Sequence, residues 1–256
     1  MREYLQIAEK AARLSGKLLL EKFRLGRIVE KKGRIDLVTD ADRESEDLIR
    51  EIILNKYPSH SFIAEESPQT AIQSEFVWLV DPLDGTTNYA HKFPVYCVSI
   101  GLLIDGRLSV ACIYNPNLDE CFTAVVGQGA FCNYEAIHVS KTTTLEDSLL
   151  ATGFPYDIRE SSKNNLREFA FFAVSARAVR RVGSAALDLA YTASGIFDGF
   201  WEFKLKPWDM AAGILLVLEA GGTVTNYRGQ QFSLSAGEIL ATNGLIHDQM
   251  KDILNP

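Results

Sequence analysis

The 256-residue chain is poor in the residues that build cross-linked or thiolate-bound proteins: it holds four Cys, four His, three Met and three Trp. Cys97, Cys112, Cys121 and Cys132 show no CxxC spacing, and three of them fall in apolar, strand-like runs where cysteine behaves as a small hydrophobe. They are expected to be reduced thiols in a cytoplasmic protein. No apolar run approaches the ~18 residues of a membrane-spanning helix. The opening MREYLQIAEKAARL carries charges of both signs and lacks the roughly 7 to 15 residue apolar stretch of a signal peptide. Basic residues are the minority, 26 Lys and Arg against 33 Asp and Glu, and the formal charge of -7 argues against a broad nucleic-acid-binding face. Repeats, low-complexity tracts and composition breaks are also lacking. What remains is a globular composition, 47% apolar and 23% charged, with length for one large domain or two closely packed halves.

Against that background, residues 76–93 (FVWLVDPLDGTTNYAHKF) stand out. Phe76, Val77, Trp78, Leu79 and Val80 form a short apolar, β-prone run and predict a buried strand. Pro82 has no N–H for a ladder, so the strand is expected to stop there, with Asp81 at its end and Asp84 across a tight turn. Both carboxylates, and the Leu83 carbonyl between them, can then face one point. Gly85, Thr86, Thr87 and Asn88 suit the opening of a helix whose first N–H groups point outward. Hard oxygen ligands beside an anion-binding turn point to a divalent cation holding a phosphate. Taken alone, Asp-Pro-x-Asp-Gly is also a common turn.

Elsewhere, Tyr4, Ala8, Ala11, Ala12, Ser15, Leu18 and Leu19 recur at helical spacing and predict a first helix ending near Phe23 to Gly26. Residues 30–34 (EKKGR) are expected to be a mobile loop. DLVTDAD leads into a helix with apolar Leu48, Ile49, Ile52 and Ile53, and Thr39 with Asp42 can be read simply as a capping pair. Ser61 to Ala64 predict a short strand before Glu65 and Glu66. Asp105-Gly106 between two β-rich runs is a hairpin signal, and a meander continues through Gly127 and Gly129 into a large antiparallel sheet. Leu149 to Gly153 predict a strand, and about Asn164 to Ala178 a Phe-rich, core-facing helix. Gly183-Ser184 caps a further helix, 197–203 (FDGFWEF) is a strand carrying Glu202, and Asp209 begins a helix closed by Gly221-Gly222. His60 and His91 are expected to be packing or surface residues rather than ligands.

Trp78, Asp81, Pro82, Asp84, Gly85, Thr86, Thr87 and Asn88 together resemble the first signature of the inositol monophosphatase family, and PWDMAAGILLVLEAGG (Pro207 to Gly222) resembles its second. The resemblance covers nearly the whole chain. It implies the layered α/β/α/β/α sandwich of sugar phosphatases, read here as one domain over 1–256 made of two packed α+β halves with a break near 140–150. By resemblance, Glu65, Asp81, the Leu83 carbonyl, Asp84 and Asp209 hold two or three Mg²⁺ ions. Asp81 bridges two of them, although Ala64 stands where the family usually has Gly. Asp42, Thr86 and Glu65 are the implied catalytic residues, with Thr86 and Asp42 orienting the attacking water. Asp84, Gly85, Thr86, Thr87, Ala185, Glu202 and Asp209 are the implied substrate contacts. The implied activity is Mg²⁺-dependent, lithium-sensitive hydrolysis of a phosphate monoester, foremost inositol 1-phosphate, by a cytoplasmic homodimer that binds neither nucleic acid nor membrane.

Three other readings compete. The family also includes fructose-1,6-bisphosphatases, and Arg180, Arg181, Lys204 and Lys206 offer charge for a second phosphate. The string DGT occurs in haloacid dehalogenase-type phosphatases, but their aspartates are two apart, whereas Asp81 and Asp84 are three apart. A regulatory or binding protein on a phosphatase scaffold is the alternative of another class.

Overall fold

The computed structural model of the chain describes residues 1–25, 29–31, 37–67 and 74–255, without the side chains of 29–31 and 37–39. Helix α1 (Arg2–Leu25) buries Ile7, Ala8, Ala11, Ala12, Ser15 and Leu19 along one stripe, and Lys22 and Arg24 in its last turn complement the helix dipole. Strands β1 (Val29–Lys31) and β2 (Leu37–Thr39) pair antiparallel, so Glu30 and Lys31 are ladder residues rather than the start of a loop. The rest of that expected loop, 32–34, lies outside the described residues. Helix α2 (Asp40–Lys56) follows directly.

The first sheet is built from β3 (Ser61–Ala64), β4 (Phe76–Asp84), β5 (Cys97–Ile104), β6 (Arg107–Asn115), β7 (Glu120–Val125), β8 (Ala130–Cys132) and β9 (Glu135–Ile137), in that order across the sheet. The short helix α3 (Thr86–Ala90) sits between β4 and β5. Within this sheet, among the described residues, the β3–β4 pair is parallel and the other pairs are antiparallel. The β5–β6 hairpin turns on Asp105 and Gly106, both at positive φ (50° and 73°), as its two-residue turn requires.

The second sheet holds β10 (Leu149–Thr152), β11 (Ala178–Arg180), β12 (Gly199–Phe203), β13 (Thr223–Thr225) and β14 (Glu238–Thr242), ordered β11-β10-β12-β14-β13. The intervening helices are α4 (Leu166–Ser175), α5 (Ala185–Ala193) and α6 (Pro207–Glu219), and α7 (His247–Leu254) closes the chain. Helix α6 has Pro at its first position, where no N–H is needed. It ends as the glycine pair predicts: the Gly221 N–H donates to the Leu218 carbonyl and the Gly222 N–H to that of Val217, with Gly221 at φ 89°.

Three apolar clusters set the layers. Helices α1 and α2 cover one face of the first sheet, with Leu19, Ile49 and Ile53 packed against Trp78, Val80, Ile100 and Cys112. Helices α5 and α6 lie between the sheets: Leu187, Leu189, Ile214 and Leu216 meet Ala111, Ile113 and Phe122 on one side and Ala151, Phe200 and Ile239 on the other. Phe172 of α4 and Met250 and Leu254 of α7 cover the far face through Leu150, Trp201 and Leu240. The result is the expected α/β/α/β/α sandwich. The Phe-rich helix is only partly core-facing. As an outer layer α4 buries one face, so Phe172 is fully buried while Phe171 and Val174 keep 48% and 84% of their surface exposed.

Candidate active site

Strand β4 does not stop at Pro82; it runs on to Asp84 through a bulge. Asp81 faces Ser99 and Asp84 faces Cys97, so Pro82 and Leu83 stand against a single residue of β5. A bulge tolerates a residue without an N–H, which is why proline is compatible with the strand here. The bulge also re-aims the chain. The Asp81 Oδ1 accepts from the Leu83 N–H at 3.0 Å, and the Ser45 hydroxyl of α2 donates to the Pro82 carbonyl at 2.7 Å. Gly85 follows at φ 98°, and a β-carbon there would lie 2.9 Å from the Val95 carbonyl, so the turn requires glycine.

Other elements bring their carboxylates to this point. Glu65 follows the last residue of β3, and Ala64 is in parallel register with Val80, so Glu65 and Asp81 leave neighbouring strands at the same end. Asp84 Oδ2 accepts from the Ser184 hydroxyl and the Ala186 N–H, both at 2.7 Å, at the start of α5. Ser184 caps that helix, as expected, by accepting from the Leu187 N–H at 3.3 Å. Asp209, the third residue of α6, reaches back to the Lys206 N–H at 2.7 Å. The Thr86 hydroxyl stands 3.2 Å from Asp42 Oδ1, in the first turn of α2, and 3.1 Å from the Leu83 carbonyl. Thr87 is exposed on the same turn, and Ala185 adjoins the Ser184 cap.

The electrostatics are those of like charges crowded under cover. Burial pushes Asp81 well above the usual carboxylate range, and the charges of Glu65, Asp84 and Asp209 push it further. Asp209 is raised by burial and then by Asp84, against the pull of the Lys206 N–H. Asp84 is raised by burial only to about 6, because the Ser184 hydroxyl and the Ala186 and Gly85 N–H groups favour its charged form. Glu202, buried on β12, is pushed up to about 8 by burial and the Asp84 charge, with Arg181 opposing. The Arg181 guanidinium lies over the Phe154 ring, 5.2 Å from its centroid.

The structure therefore brings Glu65, Asp81, Asp84, Asp209 and Glu202 into one electrostatic cluster, with Asp42, the Leu83 carbonyl and Thr86 hydrogen-bonded beside it. One member was missed. Asp188 of α5 is buried, its Oδ1 has no hydrogen-bond partner, and burial and then Glu202 and Asp84 raise it well above the usual range. The signal lay in the sequence: an acid in the otherwise small and apolar stretch SAALDLA has no solvent-facing reason to be there. His60 is a packing residue, stacked between Tyr57 and Phe76 with Nδ1 accepting from Trp78 Nε1 at 3.0 Å, and His91 is exposed at the end of α3.

The donor set, carboxylates with a backbone carbonyl and a hydroxyl, fits a hard cation rather than zinc. Two unit charges ~4 Å apart repel by about 4 kcal/mol at an effective dielectric near 20, and a cation reverses that sign. Among the described residues no three Asp, Glu, His or Cys side chains converge tightly on one point.

Comparison with known proteins bears on this cluster. A profile of the inositol monophosphatase family matches residues 1–255. The chain is 46% identical to an inositol-1-monophosphatase of Synechocystis, over 99% of this chain and 89% of the other. It is 41% identical to Nus factor SuhB of Escherichia coli, over 95% and 92%. The solved inositol monophosphatase of Anabaena superposes with a TM-score of 0.91 at 46% identity, covering 99% of this chain and 95% of that one.

Proposed function

Because the chain belongs to the inositol monophosphatase family and is a phosphatase, we propose that it hydrolyses inositol 1-phosphate to inositol and inorganic phosphate with Mg²⁺ as cofactor. The observation that carries this is Asp81: a buried carboxyl crowded by the charges of Glu65, Asp84 and Asp209 favours its protonated form, and cations placed among the four would let it ionise and bind them. Glu65, Asp81 and the Leu83 carbonyl would hold one ion, and Asp81, Asp84 and Asp209 a second, with a looser third near Glu65. Bound there, the ions would neutralise the phosphate, lower the pKa of the attacking water and stabilise the departing alkoxide.

The chain's own groups do the rest. Of the N–H groups from Gly85 to Thr87, that of Gly85 is engaged by Asp84, and those of Thr86 and Thr87, at a helix start without intrahelical acceptors, hold the phosphate oxygens. The Thr86 hydroxyl accepts a hydrogen bond from the attacking water while donating to Asp42, which takes up the proton as the water oxygen bonds to phosphorus. The phosphorus–ester oxygen bond then breaks, the departing oxygen takes a proton from solvent water and leaves as the alcohol, and Asp42 releases its proton to solvent, with no covalent phosphoenzyme. Glu202 accepts from a substrate hydroxyl, and Ala185 leaves room for the alcohol ring. We read 1–256 as one domain, and we read the enzyme as cytoplasmic, lithium-sensitive and homodimeric. The dimer is supported by the exposed apolar strip of α4, where Leu166, Phe171 and Val174 face outward.

The test is phosphate release from inositol 1-phosphate and fructose 1,6-bisphosphate side by side, with EDTA and Li⁺ controls. A preference for inositol phosphate supports Glu202 as the hydroxyl reader. Comparable turnover of the bisphosphate replaces this substrate assignment with a dual sugar phosphatase using Arg180 and Arg181. A partner-binding protein on the same scaffold is the second reading, favoured by the identity to the Nus factor; it predicts cation binding without turnover of any phosphate ester.

A further inference from the structure

Helix α2 presents Asp42, Ser45 and Glu46 to the interior at i, i+3 and i+4, all buried. Each grips a different part of the site. Asp42 meets Thr86 at 3.2 Å, and Ser45 donates to the Pro82 carbonyl within the β4 bulge at 2.7 Å. Glu46 holds the turn after β3: its Oε2 accepts from the Glu66 N–H at 2.8 Å, and its Oε1 accepts from Arg50 Nη2 at 2.9 Å and from the Ser67 hydroxyl. Arg50 is itself fixed over the Phe62 ring of β3, 4.3 Å from the centroid.

We propose that Glu46 is a positioning residue for the cation site: it fixes the turn that carries Glu65, and so sets that carboxylate against Asp81 on the neighbouring strand. The inference rests on the reading of Glu65 and Asp81 as cation ligands. The chemistry explains why a carboxylate is needed. Three donors, the Glu66 N–H, the Ser67 hydroxyl and the Arg50 guanidinium, point at two oxygens, and only an ionised carboxylate accepts on both without presenting a hydrogen of its own. A glutamine of the same shape would turn an NH₂ group towards at least one of these donors, losing that bond and pushing the turn away. One rigid helix thus gauges the Glu65 turn against the Asp81–Asp84 bulge, through Glu46 and its sequence neighbour Ser45. A shift of the Glu65 turn would open the distance between ligands that leave two adjacent strands, weakening cation binding before it disturbs the fold.

The experiment uses the full chain, stripped with chelator, as wild type, Glu46→Gln and Ser67→Ala. Mn²⁺ binding is read by calorimetry, and the Mg²⁺ concentration giving half-maximal phosphate release is read beside it. Expected for Glu46→Gln is about a 10-fold loss of Mn²⁺ affinity, the lower end for a group that orients a metal ligand. The half-saturating Mg²⁺ rises by a similar factor, and kcat recovers at saturating Mg²⁺. Ser67→Ala, which removes one donor and keeps the carboxylate, moves both readouts the same way by less, and it decides the matter should Glu46→Gln fail to fold. Unchanged Mn²⁺ affinity in the folded variants, even with a lowered Tm, would overturn the proposal and leave Glu46 a structural residue. A wild type that binds no Mn²⁺ would overturn the reading of Glu65 and Asp81 as cation ligands and this inference with it, whereas binding that is equal in wild type and variants overturns this inference alone.

Discussion

Gly153 stands where any side chain would collide with Glu202: a β-carbon there would lie 2.2 Å from both carboxylate oxygens. The glycine is the clearance that lets a buried carboxyl sit beside the acidic cluster with its pKa raised to about 8 by burial and by Asp84. Gly153→Ala is therefore expected to displace Glu202 and raise KM for inositol 1-phosphate roughly 10-fold, the scale of one lost hydrogen-bonded contact of about 1.4 kcal/mol. Half-saturating Mg²⁺ should not change. Steady-state kinetics at several Mg²⁺ concentrations separate the two, and an unchanged KM would remove Glu202 from the substrate's contacts. At this scale the sequence was informative where a motif is contiguous. Asp81, Asp84 and Gly85 could be placed from their order alone, because Pro82 and Gly85 constrain the backbone within one turn. Asp188, Ser45 and Glu46 could not, because their partners lie at Glu202, Pro82 and Glu66, and only tertiary packing brings those together.

Among the elements, β4 shows where local reasoning about Pro82 fell short. The missing N–H was expected to end the strand at Pro82, but a bulge opposite Val98 lets the strand continue to Asp84. At its other end β4 carries Trp78, whose Nε1–H can only donate and does so to His60 Nδ1 at 3.0 Å. That nitrogen must keep its lone pair, and burial holds the His60 pKa below its ordinary value of about 6.5. The sign follows. Above that value the ring is neutral both folded and unfolded and costs nothing. Below it the unfolded chain takes up a proton that the folded chain resists, so stability is lost as pH falls from about 6.5 towards the depressed folded pKa. Urea denaturation at pH 7.5 and pH 5.5 is expected to show a larger loss in wild type than in His60→Gln. Equal losses would mean that His60 carries none of the dependence. The hairpin at Asp105-Gly106 and the glycine-pair end of α6 were legible because each is specified by the φ preferences of adjacent residues.

For the whole molecule, the family resemblance implied the layers, but not which face of each helix would be left bare. Helix α4 is the case in point: its phenylalanines implied a core element, yet its place in the outermost layer leaves Leu166, Phe171 and Val174 outside. If a second copy covers that strip, light scattering will give the mass of two chains for wild type and of one for Phe171→Glu/Val174→Glu. A wild-type monomer would contradict the dimer. No helix among the described residues is long and apolar enough to cross a membrane, and all four cysteines are free thiols. The layers matter to function because the end of β3, β4 of one sheet, the starts of α5 and α6 between the sheets, and β12 of the other bring carboxylates into one electrostatic cluster. The most direct test of that arrangement is to strip wild type and Asp81→Asn with EDTA and measure phosphate release from inositol 1-phosphate as Mg²⁺ is added back. Wild type should be silent until Mg²⁺ is restored and then recover fully, while Asp81→Asn, folded by circular dichroism, stays at least 100-fold slower, about 2.7 kcal/mol of lost transition-state stabilisation. Full turnover in EDTA, or an active Asp81→Asn, would contradict the account.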